Sequence, residues 1–456
     1  MPRVLLLATT TGYQTRSFGE AAERLGVELV FATDRCHMLE DPWQDHAIPI
    51  RFHDEPGAVD AIVDAARRRP IDAVLVVGDR PTVIAARVAQ ALGLPGHPPE
   101  AAAIARHKLR TRECFQSAGL PVPWFFSTSL RSLDSSASFG VAGQPPTYPC
   151  VVKPVALSGS RGVMRADDPQ SLEASFDRLS ALLKLPEIRA ERDEAHDSIL
   201  IEGFIPGREF AVEGLLHHGA LHTLAIFDKP DPLDGPFFEE TLYVTPSSAP
   251  EDVQRAIVQS VELAVRAIGL HHGPIHAECR VEAATGTQLP AVFVLEVAAR
   301  PIGGLCAHTL RFAPIGVRDS RFGIQIPNPE SQIPLEELLL LHAFGESPAA
   351  WRREARASGV MMIPIPRRGI LRGVDGVDTA KRVRHIDDVR ITAKQDQLLV
   401  PLPEGASYLG FIFARAERAT DVDRALRAAH AELTFAIDSE FPVLAGGSMR
   451  YNREHG

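Results

Sequence analysis

The chain is poor in cysteine, with five in 456 residues (Cys36, Cys114, Cys150, Cys279 and Cys306), an odd number and no CxxC pair. That excludes a disulfide scaffold and a cysteine-type zinc site, and a reduced, cytoplasmic location is expected. Long apolar runs are lacking as well. The first, Val4 to Ala8, is far short of the roughly 20 residues of a membrane span and carries no signal-peptide cleavage pattern, so no membrane partner is expected. Positive charge is in deficit: Lys plus Arg is 48, Asp plus Glu is 58, and the formal net charge is −10. This balance disfavours nucleic acid as a partner, yet it leaves room for a local basic pocket. The turn after the first apolar run, Thr9-Thr10-Thr11-Gly12, is not GxGxxG, and neither GxxxxGK[ST] nor GxSxG occurs. A dinucleotide fingerprint, a P-loop and a hydrolase elbow are set aside.

What is present is an ordinary globular composition, 45 % apolar and 23 % charged, of a length that suggests about three domains. Strand patterns at Arg3–Ala8, Glu28–Ala32 and Asp72–Val77 alternate with helical patterns at Ser17–Leu25, Gly57–Arg68 and Pro81–Leu92. Such alternation predicts parallel βαβ units, a Rossmann-like layer. One capped helix is expected from Pro98 to Ala118, then a Ser/Gly/Pro-rich loop over Ser127 to Tyr148. Further on come a helix at Pro169–Leu183, a hairpin turn at His217–Gly219 and an amphipathic helix at Glu251–Ile268. A polar turn separates strands at Pro274–Val281 and Val292–Val297, and a last α+β segment spans Ser358 to Glu440.

Three segments could carry chemistry. In the first, an apolar strand runs into Lys153, and a turn with Gly159, Ser160 and Gly162 follows. Successive N–H groups of such a turn make an anion-binding concavity, and the lysine adds a point charge. Taken alone, the same pattern also describes a surface turn. In the second, a strand breaks at Pro206–Gly207 and resumes, leaving Glu202 and Glu209 on either side of the break. These residues suit an adenosine edge, or are the solvated carboxylates of a hairpin. In the third, Glu278 and Glu296 each interrupt an apolar strand pattern, where an unpaired carboxylate is costly. Two such groups suit Mg²⁺; the alternative is a buried pairing with Arg280 or Arg300.

In this order and spacing the segments resemble the ATP-grasp superfamily, over about Arg106 to Gly304. The resemblance implies that Lys108 and Lys153 hold nucleotide phosphates beneath a loop formed by Gly159, Ser160 and Gly162. It implies that Glu202 accepts from the adenine amino group, that the backbone of Gly203 and Ile205 completes that edge, and that Glu209 takes the ribose. Glu278 and Glu296 would ligate Mg²⁺, with Mn²⁺ as a substitute, and Arg300 would stabilise charge on the reacting acyl group. Ala298 departs from the pattern, because the family usually has asparagine two residues after the second metal glutamate. The hold on a second Mg²⁺ is therefore in question.

Within the superfamily the chain looks most like the dipeptide-forming L-amino acid ligases, on its length, the run Arg300-Pro-Ile-Gly-Gly304 and the tail Gly405–Glu432. The fold expected is therefore a multidomain α/β and α+β chain. It comprises a Rossmann-like domain (1–97), a linker helix and loop (98–148), an ATP-grasp lid (149–207), a large subdomain with the metal site (208–350) and a C-terminal α+β subdomain (351–456). The reaction implied consumes ATP and joins a carboxylate, an amino acid, to an amine through an acyl phosphate, releasing ADP and phosphate. A phosphoribosylamine–glycine ligase-like or carboxylase-like enzyme and a non-catalytic ATP-binding protein are the alternatives; no Ala-Met-Lys-Met biotin segment occurs. Glu213 and Glu240 are candidates for the substrate ammonium, and Gly303 and Gly304 for close approach of its backbone. Similar ligases are often dimers, so a homodimer is the assembly to expect. His272 and His276, like His218 and His222, have HxxxH spacing but no shared helix, and zinc is disfavoured at both pairs. His276 is expected to be a satisfied core histidine.

Overall fold

The computed structural model describes residues 1–9, 13–34, 47–130, 146–282, 290–315 and 332–439. Cys36, most of the turn at Thr9–Gly12, most of the Ser/Gly/Pro-rich loop and the polar turn before Val292 lie outside the described residues.

The N-terminal sheet is parallel throughout, in the order Ile48–Pro49, Glu28–Thr33, Arg3–Ala8, Ala73–Val77. Arg3–Ala8 is one of its two inner strands and is buried along its length, which explains the continuous Val-Leu-Leu-Leu run. Helices Tyr13–Leu25 and Glu55–Arg68 connect strands, and Thr82–Leu92 follows the last of them. After Val77 the chain turns through Gly78, at φ +84°, and sets Asp79 at the carboxyl end of the strands, where open α/β sheets receive ligands.

The single helix expected over Pro98–Ala118 is two, Pro99–Arg106 and Lys108–Ser117. His107 between them is extended, and its Nδ1 accepts from Arg110 N. Histidine is not among the usual N-caps, so the break carried no clear signal. The break gives Lys108 the first helical position of the second helix, with Nζ donating to Leu157 O at 2.7 Å.

A four-stranded antiparallel sheet follows, ordered Phe125–Ser129, Ser198–Gly203, Cys150–Pro154, Met164–Ala166. Helix Pro169–Leu183 covers it, started by a capping box between Asp168 and Ser171. Ser127–Ser129, expected in a loop, is strand because it pairs with residues some 70 positions later, such as Ser127 with Leu200. No local pattern reports such a partner.

The largest sheet has eight antiparallel strands: Val292–Ala298, Gly273–Val281, Arg208–His217, Ala220–Asp228, Leu242–Thr245, Ala357–Ile363, Gly410–Ala416 and Ile386–Ile391. It runs unbroken across the division expected at 350/351. One face packs on helix Glu251–Ile268 through Ile257, Val261 and Ile275, another part on Ala419–Ala431 through Met361, Val422 and Leu426. The interrupted strand expected around Pro206–Gly207 is in fact a passage between sheets: Ser198–Gly203 ends in the four-stranded sheet and Arg208–His217 begins in the eight-stranded one. No helix among the described residues is long and apolar enough to cross a membrane.

Candidate active site

Where the two antiparallel sheets and the N-terminal sheet meet lies a cleft of about 470 Å³. It is lined by Lys108, Lys153, Gly159, Ser160, Glu202, Gly203, Ile205, Glu209, Glu240, Glu278, Glu296, Arg300, Gly303 and Gly304. These residues come from six separate stretches of sequence.

Glu278 and Glu296 are direct partners across the strands Gly273–Val281 and Val292–Ala298. Like charges facing each other on neighbouring strands repel, and here neither pairs with Arg280 or Arg300. Lys229 Nζ lies 3.2 Å from Glu278 Oε1, and Lys108 Nζ lies 3.3 Å from Glu296 Oε2. The protein thus brings ammonium groups to the places where a divalent cation would be neutralised. The side chains keep 16 % and 26 % exposure towards the cleft. A pair of accessible hard oxygens, countered by Lys108 at Glu296 and by Lys229 and His276 at Glu278, fits Mg²⁺, which takes one or two carboxylates and completes its shell with phosphate and water.

Lys229 was not anticipated from the sequence and organises this wall. It is buried and meets Glu209 at 2.7 Å, Glu240, and Glu278. Burial would lower its pKa, but the three carboxylates overcome this and hold it well above the ordinary value. Glu240 also accepts from Tyr243 Oη at 2.9 Å; burial, with the charge of Glu278 beside it, pushes its carboxyl up to about 7. Glu209 accepts from Arg280 Nε at 2.9 Å through its other oxygen. Arg280 in turn donates to Ile205 O at 2.8 Å and to Leu233 O. Its guanidinium therefore shapes the Gly203–Ile205 edge.

Glu202 is buried, and both its oxygens are engaged. Arg112, also missed by sequence reading, donates Nε to Oε2 at 2.7 Å and Nη2 to Oε1 at 3.1 Å, while Lys153 Nζ meets Oε1. Burial would raise the carboxyl, but Arg112 and Lys153 prevail and hold it at about 2. Burial brings Lys153 down to about 8 against the pull of Glu202.

Two expected contact residues lie outside the cleft. Gly162, at φ +75°, donates its N–H to Pro403 O at 2.8 Å, so that donor is taken by the C-terminal segment. Glu213 is fully buried and accepts from His276 Nδ1 at 3.1 Å and from Ile302 N at 3.1 Å. It cannot meet a substrate ammonium in this arrangement; it anchors the backbone leading to Gly303. His276 is the buried histidine expected, though it lines the cleft. Burial would lower its pKa, yet Glu213 and then Glu278, 3.5 Å from Nε2, raise it to about 9. It stands opposite Ala298 in the ladder.

Arg300 is held by Asp79 and donates Nη1 to Pro301 O at 3.0 Å. Asp79, from the N-terminal sheet, lines the cleft with it.

Comparison with known proteins agrees with this geometry. The ATP-grasp N-terminal domain family matches residues 19–96, the ATP-grasp domain family 146–309, and L-amino acid ligase C-terminal domain 2 residues 361–438. Alanine–anticapsin ligase of Bacillus subtilis is 28 % identical over 286 residues, 59 % of this chain and 58 % of that protein. Carnosine synthase 1 of Gallus gallus is 30 % identical over 61 % of this chain and 31 % of its own length. The chain spans little more than half the length of the curated relatives it matches first. The crystal structure of an L-amino acid ligase from Bacillus licheniformis superimposes with a TM-score of 0.76 at 27 % identity, over 96 % of this chain and 99 % of that one. The chain thus carries the N-terminal and core domains of the ATP-grasp superfamily together with an L-amino acid ligase C-terminal domain, and over its length it is similar to an L-amino acid ligase.

Proposed function

We propose that the protein is an ATP- and Mg²⁺-dependent ligase that joins the carboxyl group of one amino acid to the amine of another. The facing pair Glu278 and Glu296, set beside Lys108 and Lys153 in one cleft, carries this reading. Both carboxylates would hold Mg²⁺ (Mn²⁺ serving in its place), which supplies charge neutralisation at the transferring phosphoryl group. Lys153 and Lys108 bind phosphate oxygens, and the N–H groups of Gly159 and Ser160 cover them. The backbone of Gly203 and Ile205 takes the adenine edge, with Glu202 as acceptor and Glu209 at the ribose.

The carboxylate oxygen of the first substrate attacks the γ-phosphorus as the bond to ADP breaks, giving an acyl phosphate. The neutral amine then attacks the acyl carbon, the bond from that carbon to phosphate breaks with its electron pair going to phosphate, the nitrogen gives up one proton to the departing phosphate, and an amide results. Arg300, planar and permanently charged, faces the oxygen that becomes anionic in this step. Glu240 faces the substrate ammonium, and Gly303 and Gly304 let its backbone approach. The N-terminal layer, read as Rossmann-like, closes the substrate end of the cleft through Asp79. A cytoplasmic homodimer completes the reading, and the net charge of −10 speaks against nucleic-acid and anionic-membrane partners.

The test is release of ADP and phosphate from ATP and Mg²⁺, screened against pairs of amino acids and simple amines. Release that requires a carboxylate and an amine together, with the coupled product seen by mass, is the expected result. Nucleotide binding without release for any pair would overturn it.

A further inference from the structure

Far from the nucleotide end of the cleft, two turns bring histidines together. The hairpin turn joining Arg208–His217 to Ala220–Asp228 carries His217 and His218. The turn between helix Glu251–Ile268 and strand Gly273–Val281 carries His272. One ring nitrogen from each of these three lies within 4.8 Å of the other two. The ring centroids of His217 and His272 are 5.3 Å apart, those of His218 and His272 5.0 Å. None of the three lines the catalytic cleft.

His272 is the telling residue. It is 3 % exposed, and among the described residues neither of its ring nitrogens has a hydrogen-bond partner. A buried imidazole left with no partner is costly, and a metal ion is one partner that removes the cost. The nearby histidines are otherwise occupied. His97 uses Nε2 on Pro274 O at 3.2 Å and accepts from His271 N through Nδ1. His342, from helix Leu335–Ala343, bonds through Nε2 to His217 Nδ1 at 3.3 Å. That contact leaves His217 Nε2 free and fixes its ring, the outer-partner arrangement seen around metal-bound histidines.

We propose that His217, His218 and His272 form a binding site for a divalent transition-metal ion, of which Zn²⁺ is the best fit, separate from the catalytic cleft. Three imidazoles with an open fourth position for water suit Zn²⁺, and exposed His218 leaves that position open to solvent. Zn–N bonds of about 2.0–2.1 Å put tetrahedral ligand atoms about 3.3 Å apart, so an ion would draw the three rings somewhat closer than they stand. The turn holds His218 in the left-handed region, which histidine adopts more readily than most non-glycine residues. His218 and Gly219 have φ of +50° and +85°, and a two-residue turn of this hand favours Asn-Gly. Gly219 N donates to His271 O at 2.8 Å, so the ion would cross-brace two turns already in register.

The experiment uses the full, untagged chain, stripped of metal by a chelator and titrated with Zn²⁺ by calorimetry in excess Mg²⁺ to occupy the carboxylates. One equivalent of Zn²⁺ is expected to bind, with a rise in Tm. Co²⁺ in its place should give the intense visible absorption of a four-coordinate ion. His218→Asn, which keeps the left-handed turn, should abolish both signals while leaving secondary structure and nucleotide binding unchanged. His342→Gln should weaken the site about 10–100-fold. Absence of saturable Zn²⁺ binding, or binding unaltered in His218→Asn, would overturn the proposal.

Discussion

Asp79 and Arg300, 221 residues apart, meet in a two-pronged ion pair: Nε to Oδ1 at 2.9 Å and Nη2 to Oδ2 at 3.0 Å. The pair joins the carboxyl edge of the N-terminal sheet to the end of the strand that carries Glu296. Its geometry fixes the guanidinium plane, and therefore the direction in which the remaining N–H groups point. Asp79→Asn keeps the shape and removes the charge. The expected loss is about 1.5–3 kcal/mol of stability, the range for hydrogen bonds to charged groups. Turnover should fall about 10–100-fold with nucleotide affinity unchanged. Urea unfolding beside steady-state kinetics checks this, and unaltered turnover would remove Arg300 from the chemistry.

The facing carboxylates give a sharper expectation. Glu296→Gln keeps the volume but removes the negative charge opposite Glu278, halving the charge of the pair. If the pair holds Mg²⁺, loss of several kcal/mol of charge stabilisation lowers turnover by about 100-fold or more. Binding of ATP, followed by fluorescence or calorimetry, should survive. Turnover equal to that of the parent would sink the metal assignment.

Most of the strands and helices were legible because their signals are local: a continuous apolar run for Arg3–Ala8, an Asp-Pro-Gln-Ser box for the start of Pro169–Leu183, a clean 3.6 period for Glu251–Ile268. The break at His107 and the edge strand Phe125–Ser129 were not, since one rests on an unusual cap and the other on a distant partner. In the site, Glu202, Glu278 and Glu296 stood out as acids within apolar strands. Their counter-ions did not. Arg112 lies on a helix of low amphipathicity, Lys229 at the end of a strand and Asp79 in a turn, each ordinary in sequence. The substrate role expected of Glu213 failed for a related reason: alternation tells which face a residue is on, not whether a layer of protein covers it.

Two glycines of the phosphate loop separate packing from binding. A Cβ on Gly162 would meet Leu179 Cδ1 at 2.8 Å, and φ is +75° there. Gly159 has φ +64° but open space around it. Gly162→Ala should therefore destabilise the fold by about 2–3 kcal/mol, combining left-handed strain with overpacking. Gly159→Ala should cost about 1 kcal/mol and act mainly by raising the KM for ATP. Thermal unfolding and ATP titration of the two variants check the contrast, which fails if Gly162→Ala is the milder of the two.

Lys229 balances three carboxylates with little access to water. Lys229→Met leaves Glu209, Glu240 and Glu278 without that cation, and removal of one partner from such a buried network costs about 3–5 kcal/mol. Because Mg²⁺ would partly replace the missing charge, Tm of the variant should rise more with added Mg²⁺ than Tm of the parent. Equal shifts in the two proteins would place the ion elsewhere.

Glu202 sets an acid limit on the fold. In an unfolded chain its carboxyl titrates near 4.5, whereas in the folded protein the charges of Arg112 and Lys153, acting against burial, hold it at about 2. The native state thus binds this proton more weakly than the unfolded state, and stability must fall as the pH drops. The contribution is complete above pH 4.5 and is lost as the pH falls through about 2, on the order of 3 kcal/mol in all. Glu202→Gln has no proton to take up over that interval. Measured by urea unfolding from pH 7 down to pH 2.5, the variant should be less stable at neutrality, because Arg112 and Lys153 lose their counter-ion. It should then lose less on acidification than the parent, so that the two curves converge. Parallel curves would mean that the Arg112–Glu202–Lys153 cluster does not persist in solution.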